Sequence, residues 1–181
     1  MQEEQCYSIA DLYRSQNDNA ITSSIKEVAE EVASTFSGIP EIKALETGIA
    51  KLEKDELAKV INVMFANVTE EGSIEFIEFS DAVEKFNVKE RISRDGAFTR
   101  GKHFLQKVSD SKFIVTYCNT SPNDEILYKA LHELAHFILH WDKMQMDKME
   151  SGECMYPNDI GILEGDAWIF ARHLATILTH V

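Results

Sequence analysis

Residues 128–139 read Tyr128-Lys129-Ala130-Leu131-His132-Glu133-Leu134-Ala135-His136-Phe137-Ile138-Leu139, and the H-E-x-x-H inside them sets the expectation for the rest of the chain. On an α-helix, residues four apart stack on one face. His132 and His136 can therefore each turn a ring nitrogen toward one metal ion. A zinc ion suits two neutral imidazoles completed by a carboxylate, with a further position kept for water. Glu133, one residue round the helix, can then act as general base. It would take the proton of the zinc-bound water and pass it to the leaving amine. Leu131, Leu134, Ala135, Phe137 and Ile138 are uncharged, so this helix can be buried. The plain alternative is a core helix with two satisfied histidines. A buried glutamate between them is costly without a metal or partner, which favours the metal.

The third ligand is sought downstream, in Leu163-Glu164-Gly165-Asp166-Ala167-Trp168-Ile169-Phe170-Ala171-Arg172-His173-Leu174. Ala167, Phe170, Ala171, Leu174 and Leu178 follow helical spacing. Glu164 opens that helix and completes a His132–His136–Glu164 metal set. Asp166 stands two residues on, turned about 200° around the helix, and is not expected to ligate. Tyr156, His140 and His173 are candidates to stabilise the oxyanion on an attacked carbonyl. Tyr156 is preferred, because His173 falls away from the Glu164 face.

Together these stretches resemble the ImmA/IrrE family of zinc metallo-endopeptidases, which are gluzincin-like. The resemblance rests on the strand Phe113-Ile114-Val115-Thr116-Tyr117-Cys118-Asn119, then HELAH, then Glu164…Ala167…Phe170-Ala171, and covers roughly residues 78 to 178. It implies protein substrates, often repressors encoded by phages or mobile elements. Trp168 departs from the pattern: the family usually carries Asn or Asp there, expected to support a ligand histidine.

Composition bounds the alternatives. The chain has 181 residues, 44% hydrophobic and 27% charged, ordinary for a globular protein. No apolar run is long enough to span a membrane. Met1-Gln2-Glu3-Glu4 is acidic rather than the basic opening of a signal peptide, so a cytoplasmic location is expected. Cys6, Cys118 and Cys154 are odd in number and far apart, which implies no disulfide framework. The net charge of −13 disfavours nucleic acid, since phosphate contacts need cations. Residues 1–70 carry six basic and thirteen acidic groups. A degenerate helix-turn-helix can be traced there through Val28–Val32, Ile42–Gly48 and Leu57–Val60, but the charge has the wrong sign for DNA.

The expected fold class is α+β in two parts. Residues 1–70 form a helical N-terminal region: a helix over 21–36, a break at Ser37-Gly38-Ile39-Pro40, a second helix from Glu41, and a resumption through Leu57, Val60, Ile61 and Met64. Residues 71–181 form a zincin-like domain. In it a short helix from Asp81 to Phe86 leads into a three-stranded antiparallel meander over 87–94, 97–108 and 112–118, followed by the H-E-x-x-H helix, a loop rich in methionine, and the glutamate helix. Eight basic residues fall between Lys85 and Lys112. They would either line the path of an extended substrate held on a sheet edge or shield that edge from a second chain. The functional expectation is an endopeptidase that cleaves a specific regulatory protein. Its rivals are a metal-binding interaction protein without efficient turnover and a transcriptional regulator using residues 20–66.

Overall fold

The computed structural model describes residues 19–70, 72–92, 99–142, 146–151 and 161–180. Helix α1 (Asn19–Phe36) buries Ile25, Ala29, Val32 and Phe36, three to four residues apart and hence on one face. The chain then departs from the expected second helix. Ile42–Thr47 and Ile49–Lys51 are 3-10 turns that bury Ile42 and Leu45. Gly48 separates them at φ 116°, a backbone conformation open to glycine and strained for other residues. No α-helix lies between α1 and α2 (Lys54–Val68). At the start of α2 the Glu56 carboxylate accepts from the Glu53 backbone N–H at 3.1 Å, satisfying a donor the helix itself cannot. Leu57, Val60, Ile61, Met64 and Phe65 are its buried face.

The remaining elements are β1 (Ile74–Glu78), α3 (Phe79–Phe86), β2 (Arg91–Ile92), β3 (Thr99–Gly101), β4 (Leu105–Ser109), β5 (Lys112–Tyr117), α4 (Asn123–Leu139) and α5 (Gly161–Thr179). The small sheet has the order β1-β5-β4. Strand β4 runs antiparallel to β5, and β1 runs parallel to it with Phe76 opposite Val115. The expected all-antiparallel meander is thus corrected. Among the described residues its first strand is Arg91–Ile92, paired with β3 as a separate ribbon, and its second is divided into β3 and β4. The third strand of the sheet comes instead from Ile74–Glu78.

Burial explains the outcome. The central strand β5 is covered on both faces. Phe113, Val115 and Tyr117 join a large core with the buried residues of α1, α2, α4 and α5. Ile114 joins a second cluster with Ile77, Phe79, Ala82, Val88 and Phe104. A strand buried on both sides suits parallel pairing with a helical crossover, and α3 covers the second face. Strand β1 is fixed from α2 by Asn62. Its Oδ1 accepts from the Phe76 N–H and its Nδ2 donates to the Phe76 carbonyl, both at 2.9 Å. Phe76 also stacks on Tyr117 across the sheet, with ring centres 4.6 Å apart. Among the described residues, no helix is long and apolar enough to cross a membrane.

Candidate metal centre

Helix α4 begins after Pro122, with Asp124 and Glu125 in its first turn, where the helix dipole favours acidic groups. Its position is fixed by Asn123, whose Nδ2 donates to the carbonyls of Ile49 and Leu52 at 2.8 Å each. Lys54 of α2 donates to Asn123 Oδ1 and to the Ser121 carbonyl. Ile126, Leu127, Ala130, Leu131, Leu134 and Ala135 then bury the helix. His132 and His136 face α5, which packs Ala167, Phe170, Ala171 and Leu174 into the same core.

The three residues expected as metal ligands meet. Nε2 of His132 lies 2.9 Å from one Glu164 oxygen, and Nε2 of His136 lies 3.0 Å from the other. The two Nε2 atoms are 3.2 Å apart. All three side chains are buried, and their donor atoms lie within 4.8 Å of one another. This group can hold a metal ion. The chemistry of the donors agrees: two imidazole lone pairs and a carboxylate converging in a buried space need a cation between them or protons in its place. Burial pushes the Glu164 carboxyl up, but the electrostatic pull and hydrogen bond of His132, and the hydrogen bond and pull of His136, outweigh it and hold the group well below the usual carboxylate range. Glu164 is therefore an anion in place to meet a cation. Glu133 is buried on the same helix.

Two neighbours hold the ligand rings. The Trp168 indole lies over His132, with ring centres 4.1 Å apart and planes at 37°, and Tyr128 backs it at 4.5 Å. Ring packing thus stands where a polar support for a ligand histidine was expected. Behind His136, its Nδ1 meets Nδ1 of His140 at 2.9 Å, and Nε2 of His140 lies 3.6 Å from Asp166 Oδ2. His140 thus meets the ring nitrogen of His136 that points away from Glu164. The buried pairing of His140 with Asp166 was missed in the sequence. The signal was present: His132, His136 and His140 repeat every four residues, the last of them capping α4.

The other candidates are elsewhere. His173 Nε2 contacts Glu30 of α1 at 3.1 Å. Tyr156 and Cys154 lie outside the described residues, as does Cys6. Cys118 sits beside Thr120 Oγ1 at 3.0 Å, and that hydrogen bond lowers its thiol pKa. The lysines of the basic stretch are largely taken up within the fold. Lys85, at 2.9 Å, and Lys112 both pair with Glu75. Lys102 is 4.0 Å from Glu90. Lys107 is buried and donates to the Met149 carbonyl. No protein-family model, curated protein or solved structure matches the chain.

Proposed function

We propose that the protein is a zinc-dependent endopeptidase of the ImmA/IrrE type that cleaves a specific regulatory protein, such as a phage or mobile-element repressor. The observation that carries this reading is the convergence of His132, His136 and Glu164 at 2.9–3.2 Å with Glu133 on the same helix. Ligand atoms about 2.0–2.2 Å from a tetrahedral ion are themselves about 3.3 Å apart, close to the separations seen. Two imidazoles favour zinc or a neighbouring transition metal over calcium or magnesium, which take oxygen ligands. When bound, zinc would supply an acidified water and polarise the scissile carbonyl.

The chain's own residues do the rest. His132 and His136 present Nε2 as neutral donors, and Glu164 balances the charge. Glu133 accepts the attacking water's proton on its carboxylate and delivers it to the leaving amine. The burial of all four excludes bulk water and strengthens each electrostatic contact. An extended substrate would be held by main-chain hydrogen bonds to a sheet edge. On β1 the Phe76 ladder groups are already taken by Asn62. Within the three-stranded sheet the outer edge of β4 is the other edge, beside which Ser151 Oγ donates to the Val108 carbonyl at 2.8 Å.

The test is Glu133→Gln, assayed by co-expression with candidate repressors and by mass spectrometry of the products. The variant should keep about one zinc per chain and still bind its partner, while cleavage falls about 10²–10⁴-fold. Cleavage equal to wild type would remove the hydrolytic mechanism and leave an interaction protein with a structural metal. Elemental analysis that finds iron rather than zinc would redirect the chemistry to the oxygen-activating class of His-His-carboxylate sites.

A further inference from the structure

We infer that His140 and Asp166 are positioning residues that fix the proton on His136 and so prepare its Nε2 to bind metal; the inference rests on the metal-site reading above. Two imidazole nitrogens 2.9 Å apart, Nδ1 of His136 and Nδ1 of His140, must share one proton between them as donor and acceptor. If His140 were the donor, a neutral His136 would carry its own proton on Nε2. That atom faces Glu164 and His132, and a protonated nitrogen has no lone pair for a metal. A ligating His136 therefore has to hold its proton on Nδ1 and donate it to His140.

The assignment then propagates. With Nδ1 accepting, neutral His140 carries its proton on Nε2, the atom 3.6 Å from Asp166 Oδ2. That separation is too long for a direct hydrogen bond, but a buried carboxylate at that range favours a positive N–H end pointing toward it. The order Asp166, His140, His136, Glu164 thus runs from one carboxylate to the other through two imidazoles. Ligand histidines commonly donate their second N–H straight to a carboxylate or carbonyl. Here an imidazole is inserted between. Both residues are buried, so water does not compete freely for the same protons. Helix geometry makes the arrangement possible. His140 follows His136 by four residues and caps the C-terminus of α4, and Asp166 follows Glu164 by two residues on α5. The same helix pair therefore supplies both the ligands and their support.

The experiment compares wild type with His132→Ala, His140→Leu, His140→Gln and Asp166→Asn. Zinc affinity is measured by chelator competition, ring protonation in the zinc-loaded protein by nitrogen-15 NMR, and apo stability by thermal melting. Wild type should bind about one zinc, and His132→Ala none. His140→Leu should still bind one zinc at saturation but about 10–100-fold more weakly. His140→Gln, whose side-chain carbonyl can accept the Nδ1 proton, should recover most of that loss. Asp166→Asn keeps a neutral acceptor and should fall between wild type and His140→Leu. In the loaded wild type, His140 should carry its proton on Nε2.

Three results would overturn the inference: His140→Leu binding zinc as tightly as wild type, a proton found on Nδ1 of His140, or a loss that Gln does not rescue and that tracks apo stability. If wild type binds no metal, the metal reading itself fails and takes the inference with it. That outcome is distinct from the other three, in which wild type remains loaded.

Discussion

At the scale of the residue, the site makes separable demands on its side chains. His132→Ala or His136→Ala removes one of three metal bonds, and elemental analysis should find the metal lost. Glu164→Gln removes the anion that burial alone would have neutralised, and affinity should drop while the fold persists. Metal retained in all three would show that the cluster is a hydrogen-bonded group and no more. His103 makes a different kind of prediction. It sits between β3 and β4 with Nε2 at 3.1 Å from Ser121 Oγ. Burial and the nearby Lys129 charge lower its pKa from 6.5 to about 4. A histidine with a depressed folded pKa binds fewer protons in the native state than in the unfolded chain between those two values. Its contribution to stability is thus present above about pH 6.5 and is lost as pH falls toward 4. Urea midpoints across that window should slope downward with acidity in wild type and be flatter in His103→Asn. Equal slopes would show that His103 is not what sets the acid side of the curve.

At the scale of the element, helices were legible and strand partners were not. The 3.6-residue spacing of Ile25, Ala29, Val32 and Phe36, and of Ala167, Phe170, Ala171 and Leu174, comes from burial along one side. That pattern survives in the sequence because each helix has one apolar face. Ile42 and Leu45 carry the same spacing yet form a 3-10 turn, because two apolar residues and a glycine do not outweigh a connection that must turn sharply. Strand pairing depends on residues far apart in the chain. Ile74-Glu75-Phe76-Ile77-Glu78 is too short to announce itself beside an amphipathic helix. Its parallel partner is β5, some forty residues on, and it is tied to α2 by Asn62, a polar residue in mid-helix that no periodicity marks. The shared direction of His132 and His136 was legible because fixed spacing on a helix fixes direction, and their meeting with Glu164 gives a group that could hold a metal ion. The His140–Asp166 contact needed the packing of two helices, which spacing within either one does not contain. Asn123 gives an element-scale prediction. Its amide satisfies two carbonyls at the end of the 3-10 turns and orients the first turn of α4. Asn123→Ala leaves both without that donor, at about 1–3 kcal/mol, and should lower the urea midpoint without changing metal stoichiometry. No change would mean that solvent replaces the amide there.

At the scale of the whole molecule, helices from both sides of residue 70 share a single large core: α1 packs on α5, and α2 packs on β1 and α4. Unfolding monitored by tryptophan fluorescence and by helix content should therefore be one coincident transition, the mark of cooperative two-state unfolding. Two separated transitions would show that the N-terminal helices are an independent unit. His132 and His136 on α4 meet Glu164 on α5, so a metal held there would require the two helices to be packed together and should raise the whole transition, by about 2.7 kcal/mol at a free concentration 100 times the dissociation constant. The side chain of Asn62 carries one more consequence, for the protein among its own copies. By occupying the donor and the acceptor of Phe76 it ends the ladder at β1, so a neighbouring molecule finds no continuous row of groups on which to zip. Asn62→Leu would uncap that row, and concentrated samples should then grow fibrils that bind thioflavin, where wild type stays monodisperse.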